Sequence, residues 1–332
     1  MALSKGVDDI SVPIGQWSEK LYDVYSSRME KRQPEEFWMN VLAHLSGIGE
    51  AIRKTHYDDL IYHASHALSW MICYVGKCNS NDDQFFHITN NLTELVGLKY
   101  PTECGHCEKR PCLCDAIGMD EVSDKAAKYG NLYNKWTWHI KDNDFTINKW
   151  MEVFKDIYGG RIHLQTMDSL GFHLLEEGGE EARAIRQLVR FRDEIELGNG
   201  IEEGFLSRLD NIDSLVTEYK QASKNIIKKE IDYPGGKKKE VVDVTVNTSD
   251  QIKYRIALCK MDLVIELADT FSWFCAVVLK LNMILNNHNF YKGIKSNYDL
   301  ERRLKKEYSF KNKDGNLKCS FCKKSDCKCC YI

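Results

Sequence analysis

The chain is written twice, and this repeat constrains the fold more than any other feature. An internal repeat fixes the size of the units that must pack together. "QWSEKLYDVYSSR" (Gln16–Arg28) lines up with "KWMEVFKDIYGGR" (Lys149–Arg161), placing Trp17 on Trp150, Tyr25 on Tyr158 and Arg28 on Arg161. The same offset of 133 residues continues without a gap and brings Ile52-Arg53 onto Ile185-Arg186. A second block aligns "HASHALSW" (His63–Trp70) with "ELADTFSW" (Glu266–Trp273). A third gives "CGHCEKRPCLC" (Cys104–Cys114) the cysteine spacing of "CSFCKKSDCKC" (Cys319–Cys329). Three blocks in one order argue for two copies of one unit.

The second copy carries an insertion. Ile52 and His63 lie 11 positions apart, whereas Ile185 and Glu266 lie 81 apart, a difference of about 70. Ile201–Ile231 is charged but places Phe205, Leu209, Ile212, Leu215 and Val216 at helical spacing. "YPGGKKKEVVDVTV" (Tyr233–Val246) reads as a turn leading into a short strand, half of a hairpin. Such an insertion serves either as a lid or dimer arm, or as a decorative helical hairpin.

The remainder reads as helix. Only five prolines occur, and Leu267, Phe271, Phe274, Val278 and Leu281 form one buried stripe. Ala64, Leu68, Met71 and Val75 occupy the matching places in the first copy. Trp17 and Trp150 are expected in the core, in preference to a nucleotide-stacking role.

Chemistry enters with two pairs of acids. Glu177 and Glu180 are three apart, as are Glu266 and Asp269. On a helix this spacing puts both side chains on one face. One such pair is common on solvated helices; two, at matched places in a repeat and flanked by apolar stripes, are more specific. Two helices packed together would aim four carboxylates at each other, which is costly unless hard divalent cations neutralise them.

"LLEEGGEEARAIR" (Leu174–Arg186) and "ELADTFSWFCAVVLKLN" (Glu266–Asn282) resemble the two motifs of the MazG-like all-α nucleoside triphosphate pyrophosphohydrolases, ExxE followed by ExxD. The related dimeric dUTPases and dCTP pyrophosphatases look similar in chemistry. "TMDSLGFHLL" (Thr166–Leu175) suits the start of the family's metal-binding helix. The likeness covers Phe145 to about Asn282, less the insertion. It implies a helical bundle, a magnesium requirement, and cleavage of a nucleoside triphosphate to monophosphate and pyrophosphate. Glu177, Glu180, Glu266 and Asp269 would be the magnesium ligands and catalytic residues. Lys280 and Asn282 are candidate substrate contacts, with a plain surface role as the alternative. Glu176 and Glu181 are expected to face solvent. The sequence departs from the family in the wide separation of its motifs and in the pair Gly178-Gly179, each glycine costing about 1 kcal/mol against alanine in a helix.

In the first copy the four acids become His44, Gly47, His63 and His66. Magnesium prefers oxygen donors, so this copy is expected to be catalytically dead. Three histidines suit a transition metal, or simply fill a vacant polar cavity; the second reading is preferred.

Thirteen cysteines are present, eight of them in the two clusters Cys104, Cys107, Cys112, Cys114 and Cys319, Cys322, Cys327, Cys329. Four thiolates per cluster match structural zinc; reduced unliganded thiols are the alternative. Met1–Asp9 lacks an apolar leader segment, and Leu263–Leu285 is interrupted by Glu266, Asp269 and Lys280. A cytoplasmic protein without membrane contact is therefore expected. The formal net charge of −3 gives no electrostatic footprint for nucleic acid.

These readings combine into an all-α expectation of two tandem bundles forming a pseudo-dimer. Residues 1–100 would be a degenerate domain and 101–118 its zinc knuckle. Residues 142–300 would be the catalytic domain, with an insertion at about 187–256, and 315–332 the second knuckle. The partners expected are the nucleoside triphosphate and a further copy of the chain. The main alternative is a catalytically silent nucleotide-sensing or interaction protein.

Overall fold

The computed structural model describes residues 12–80, 83–105, 107–114, 145–196, 204–224, 227–232, 238–243, 248–287 and 300–307. The second cysteine cluster lies outside them. The described chain is predominantly helical. Its first half comprises α1 (Ile14–Met29), α2 (Pro34–Lys54), α3 (Tyr57–Asn79) and α4 (Leu92–Lys99). The second comprises α5 (Ile147–Leu164), α6 (Met167–Glu196), α7 (Ile212–Lys224), the strands β1 (Ile227–Asp232) and β2 (Lys238–Asp243), α8 (Thr248–Asn287) and α9 (Leu300–Glu307).

Local chemistry sets the helix starts. Helix α2 has Pro34 in its first turn with Glu35 and Glu36, acids that complement the dipole. It ends at Thr55, whose left-handed backbone (φ 58°) directs its N–H to the carbonyls of Ala51 and Ile52. At α4 a capping box closes: Glu94 N–H donates to the Asn91 side chain at 3.1 Å, and Asn91 N–H donates to the Glu94 carboxylate at 2.9 Å. Thr146 caps α5 through Lys149 N–H, and Thr166 caps α6 through Ser169 N–H, both at 3.1 Å. Helix α6 thus starts where the sequence motif places it.

The packing repeats between the halves. Helix α2 lies on α3, as α6 lies on α8; α1 lies on α3, as α5 lies on α8. Helices α2 and α6 pack against each other. The short helices cross over, α4 packing on α8 and α9 on α3. Two contacts join positions matched by the 133-residue offset. Pro13 forms an isolated antiparallel bridge with Thr146. Leu45 lies against Gly178, where an added Cβ would come within 2.7 Å of Leu45 Cδ1. Gly178 therefore permits close helix approach, and its carbonyl accepts from Trp38 Nε1 at 3.1 Å. Gly179 has open space around it. The core follows the apolar stripes: Trp17, Trp150, Leu267, Phe271, Phe274, Val278 and Leu281 are fully buried.

The insertion departs from its expected form. Helix α7 stops at Lys224, and Ile227–Asp232 is strand, paired antiparallel with Lys238–Asp243. The helical reading through Ile231 is thus corrected at its end. Proline and glycine at positions 234–236 are poor helix residues, and pairing with Lys238–Asp243 satisfies the backbone of Ile227–Asp232 as strand. Phe205, Leu209, Ile212, Leu215 and Val216 are all buried.

The insertion is tied to the first half. Thr89 N–H donates to the Asp210 carbonyl at 2.6 Å, and Ile212 N–H to Asn90 Oδ1 at 2.9 Å. Lys260, wholly buried, adds three bonds from its amine, to the carbonyls of Gln84 (3.3 Å), His87 (2.9 Å) and Leu209 (2.9 Å). Among the described residues no helix is long and apolar enough to cross a membrane.

Candidate active site and cysteine metal centre

Helices α6 and α8 bring the predicted acids together. The carboxylates of Glu177, Glu180 and Glu266 each offer an oxygen, and these oxygens lie within 4.8 Å of one another. Such a group of acids could hold a metal ion. Burial, reinforced by Asp269, Glu266 and Glu180, raises the Glu177 pKa to about 8, with Lys99 opposing. Glu266 rises to about 7, from burial and the charges of Asp269, Glu180 and Asp262. Without a cation, these two acids hold protons near neutral pH.

Asp269 stands apart from that trio. It forms an ion pair with Lys99, and its Oδ1 accepts from the Tyr100 hydroxyl at 2.5 Å. Ser272 Oγ lies 3.2 Å from the Tyr100 oxygen and 3.0 Å from the Asp269 carbonyl. Lys99 and Tyr100 end the first half of the chain, 170 and 169 positions from Asp269. No local motif marks them, and only the crossing of α4 onto α8 delivers them.

Glu181 corrects an expectation. Glu176 is exposed, but Glu181 is entirely buried. It lies one turn beyond Glu177, near Tyr74 of α3 and Glu266 and Asp262 of α8. Burial, with the charges of Glu266 and Asp262, holds its pKa well above the usual carboxylate range. It is a buried carboxyl, not a solvated acid.

An open pocket adjoins Glu177 and Asp269. Aromatic walls come from Tyr100, Phe154, Tyr158 and Trp273, and polar groups from Arg161, Gln165 and Ser272. Trp273 stacks on His173 with ring centroids 4.4 Å apart. A few polar groups among aromatic walls is the general pattern of a small-molecule site. Among the described residues the insertion supplies none of its lining. Neither do Lys280 and Asn282. The Lys280 amine instead bonds the carbonyls of Ile162 (3.2 Å) and His163 (2.9 Å) at the C-terminus of α5, where a cation complements the helix dipole. Asn282 is half-buried two residues further on.

The corresponding place in the first half holds the histidines. His44 Nδ1 and His63 Nδ1 lie 3.2 Å apart, and the His44 and His66 rings stack at 5.1 Å. Burial, then His66 and His63, lowers the His44 pKa to about 4, and burial also lowers that of His63. Gly47 leaves space for the His63 ring, which would lie 2.4 Å from an added Cβ. The three histidines are not among the metal-competent clusters of the described residues.

The second such cluster is Cys104, Cys107, Cys112 and Cys114. Their cysteines are free, with Sγ separations of 3.6 Å (Cys104 to Cys114) and 3.9 Å (Cys107 to Cys112). Tetrahedral zinc at about 2.3 Å from each sulfur requires about 3.8 Å between sulfurs. The cluster can therefore hold a metal such as zinc.

Comparison with family models, with curated proteins and with solved structures finds no match to this chain.

Proposed function

We propose that the chain is a magnesium-dependent nucleoside triphosphate pyrophosphohydrolase of MazG-like type, converting a (d)NTP and water to a (d)NMP and pyrophosphate. The observation that carries this reading is the convergence of Glu177, Glu180 and Glu266 beside an aromatic pocket. Glu177, Glu180, Glu266 and, on release from Lys99, Asp269 are the residues to hold magnesium. Bound there, magnesium would neutralise the triphosphate and acidify water. The protein's own contribution is positional. The aromatic walls take the base, Arg161 offers a guanidinium to the anionic substrate, and Glu177 or Glu180 orients the attacking water at the α-phosphorus. Lys99, once released from Asp269, would supply a positive charge against the anionic substrate.

Two further elements belong to this reading. The halves are duplicated bundles about a pseudo-twofold axis, supported by counterpart positions touching each other at Pro13 with Thr146 and Leu45 with Gly178. The first half is inactive and shapes the second half's site, supported by the crossing of Lys99 and Tyr100 to Asp269.

One observation favours a second reading, a nucleotide-sensing protein without turnover. Asp269, a required ligand in the family pattern, is already neutralised by Lys99. Turnover of a nucleotide panel with magnesium, compared with Glu177→Gln, separates the two.

A further inference from the structure

Tyr158 and Arg161 of α5 face two ways. Both line the pocket beside Glu177 and Asp269. Both also reach the cysteine cluster: the Tyr158 hydroxyl donates to Cys104 Sγ at 3.3 Å, and Arg161 Nη1 to Cys112 Sγ at 3.7 Å. Backbone reinforces the contact, since Cys112 N–H donates to the Ile157 carbonyl at 2.8 Å. Arg110, in the same loop, forms an ion pair with Asp156. On its other side the Tyr158 ring meets Tyr100 edge-on at 6.2 Å, and Tyr100 bonds Asp269. A continuous line of contacts thus runs from the Cys104 sulfur through Tyr158 and Tyr100 to the Asp269 carboxylate.

The described residues between Thr102 and Leu113 form neither helix nor strand. Backbone pairing alone does not define such a segment; four ligands on one metal would. Thiolates held by a metal are strong acceptors for N–H and O–H donors, whereas free thiols are weak ones. Groups that bond metal-ligating atoms are oriented by them, as those atoms are oriented in return.

We propose that the cysteine cluster is a metal-dependent brace behind the α5 wall of the substrate pocket. A thiophilic divalent ion, zinc by the sulfur spacing, held by Cys104, Cys107, Cys112 and Cys114, fixes Tyr158 and Arg161 in the orientation that receives the substrate. Tyr158 and Arg161 are the positioning residues through which occupancy of the cysteine site governs binding. The nucleotide part of this inference rests on the function proposed above; the coupling of cluster to helix does not.

The test uses the full-length protein in three states: zinc-loaded, stripped with a thiophilic chelator, and reloaded. Amide hydrogen exchange is read over residues 154–165, and a non-hydrolysable nucleoside triphosphate is titrated in magnesium. Stripping is expected to accelerate exchange at 154–165 while α2 and α3 keep their protection, and to weaken the analogue about tenfold, the scale typical of lost ligand-supporting contacts. Reloading restores both. Tyr158→Phe, with zinc retained, is expected to reproduce part of the affinity loss. Unchanged exchange at 154–165 after stripping overturns the proposal, as does accelerated exchange throughout the molecule, which would mark a purely global stabilising role. If the loaded protein binds no analogue, the nucleotide reading falls and the local exchange pattern alone decides the coupling.

Discussion

Without a divalent cation, raising the pH should weaken the protein, and magnesium should reverse the effect. The Glu177 carboxyl titrates near 4.5 when unfolded and near 8 in the folded state, and Glu266 moves from 4.5 to about 7. Between pH 4.5 and 8 the folded state therefore keeps protons that the unfolded state has released, so stability falls as pH rises through this window. One pKa unit corresponds to about 1.4 kcal/mol, but both groups are only half-buried, and solvent screening reduces the Glu177 contribution to on the order of 1–2 kcal/mol. Each kcal/mol moves the melting temperature of a chain this size by about 1–2 °C. In chelator, Tm should fall by a few degrees from pH 5.5 to 8, and Glu177→Gln should flatten that slope. Magnesium at a hundred times its Kd at pH 8 adds about 2.7 kcal/mol, and the same concentration should add less at pH 5.5, where more protons compete for the acids. Differential scanning fluorimetry across the pH series reads all of this. Equal slopes for the parent and Glu177→Gln, or a magnesium gain independent of pH, would refute the assignment of these acids as a cation site.

The adjacent glycines of α6 should respond differently to alanine. Gly179→Ala has open space and should stabilise by about 0.5–1 kcal/mol, the helix-propensity gain, whereas Gly178→Ala forces Leu45 to move and should lose that gain; equal stabilisation in urea denaturation would contradict the close approach of α2 and α6. Lys260→Met leaves the carbonyls of Gln84, His87 and Leu209 without their buried donor and should cost about 2 kcal/mol; an unchanged denaturation midpoint would contradict a clamping role. Elemental analysis of the purified chain should find zinc, and Cys112→Ser should remove one equivalent; retention of the full amount would reject the Cys104–Cys114 cluster as its site.

Much of the helical core was legible because it obeys periodicity. The stripe from Leu267 to Leu281 and the apolar positions of the insertion are buried as their spacing requires. The acids were legible for a similar reason, three-residue spacing on one face, and Glu177, Glu180 and Glu266 do converge. Glu181 was misread because α6 packs against α8 and α2 at once; periodicity within one helix does not announce a second neighbour. Lys99 and Tyr100 were missed because their roles depend on a crossing of α4 onto the far half, a tertiary event with no local signature. The strand at Ile227–Asp232 is likewise set by its partner at Lys238–Asp243 rather than by its own charged sequence.

The most direct measurement is product analysis. The purified protein is incubated with magnesium and a panel of NTPs and dNTPs, beside Glu177→Gln carrying the same zinc and the same fold. The account predicts nucleoside monophosphate and pyrophosphate from at least one member of the panel, dependent on magnesium and absent from the variant. No turnover of any nucleotide by magnesium-loaded protein, or equal turnover by Glu177→Gln, would contradict it.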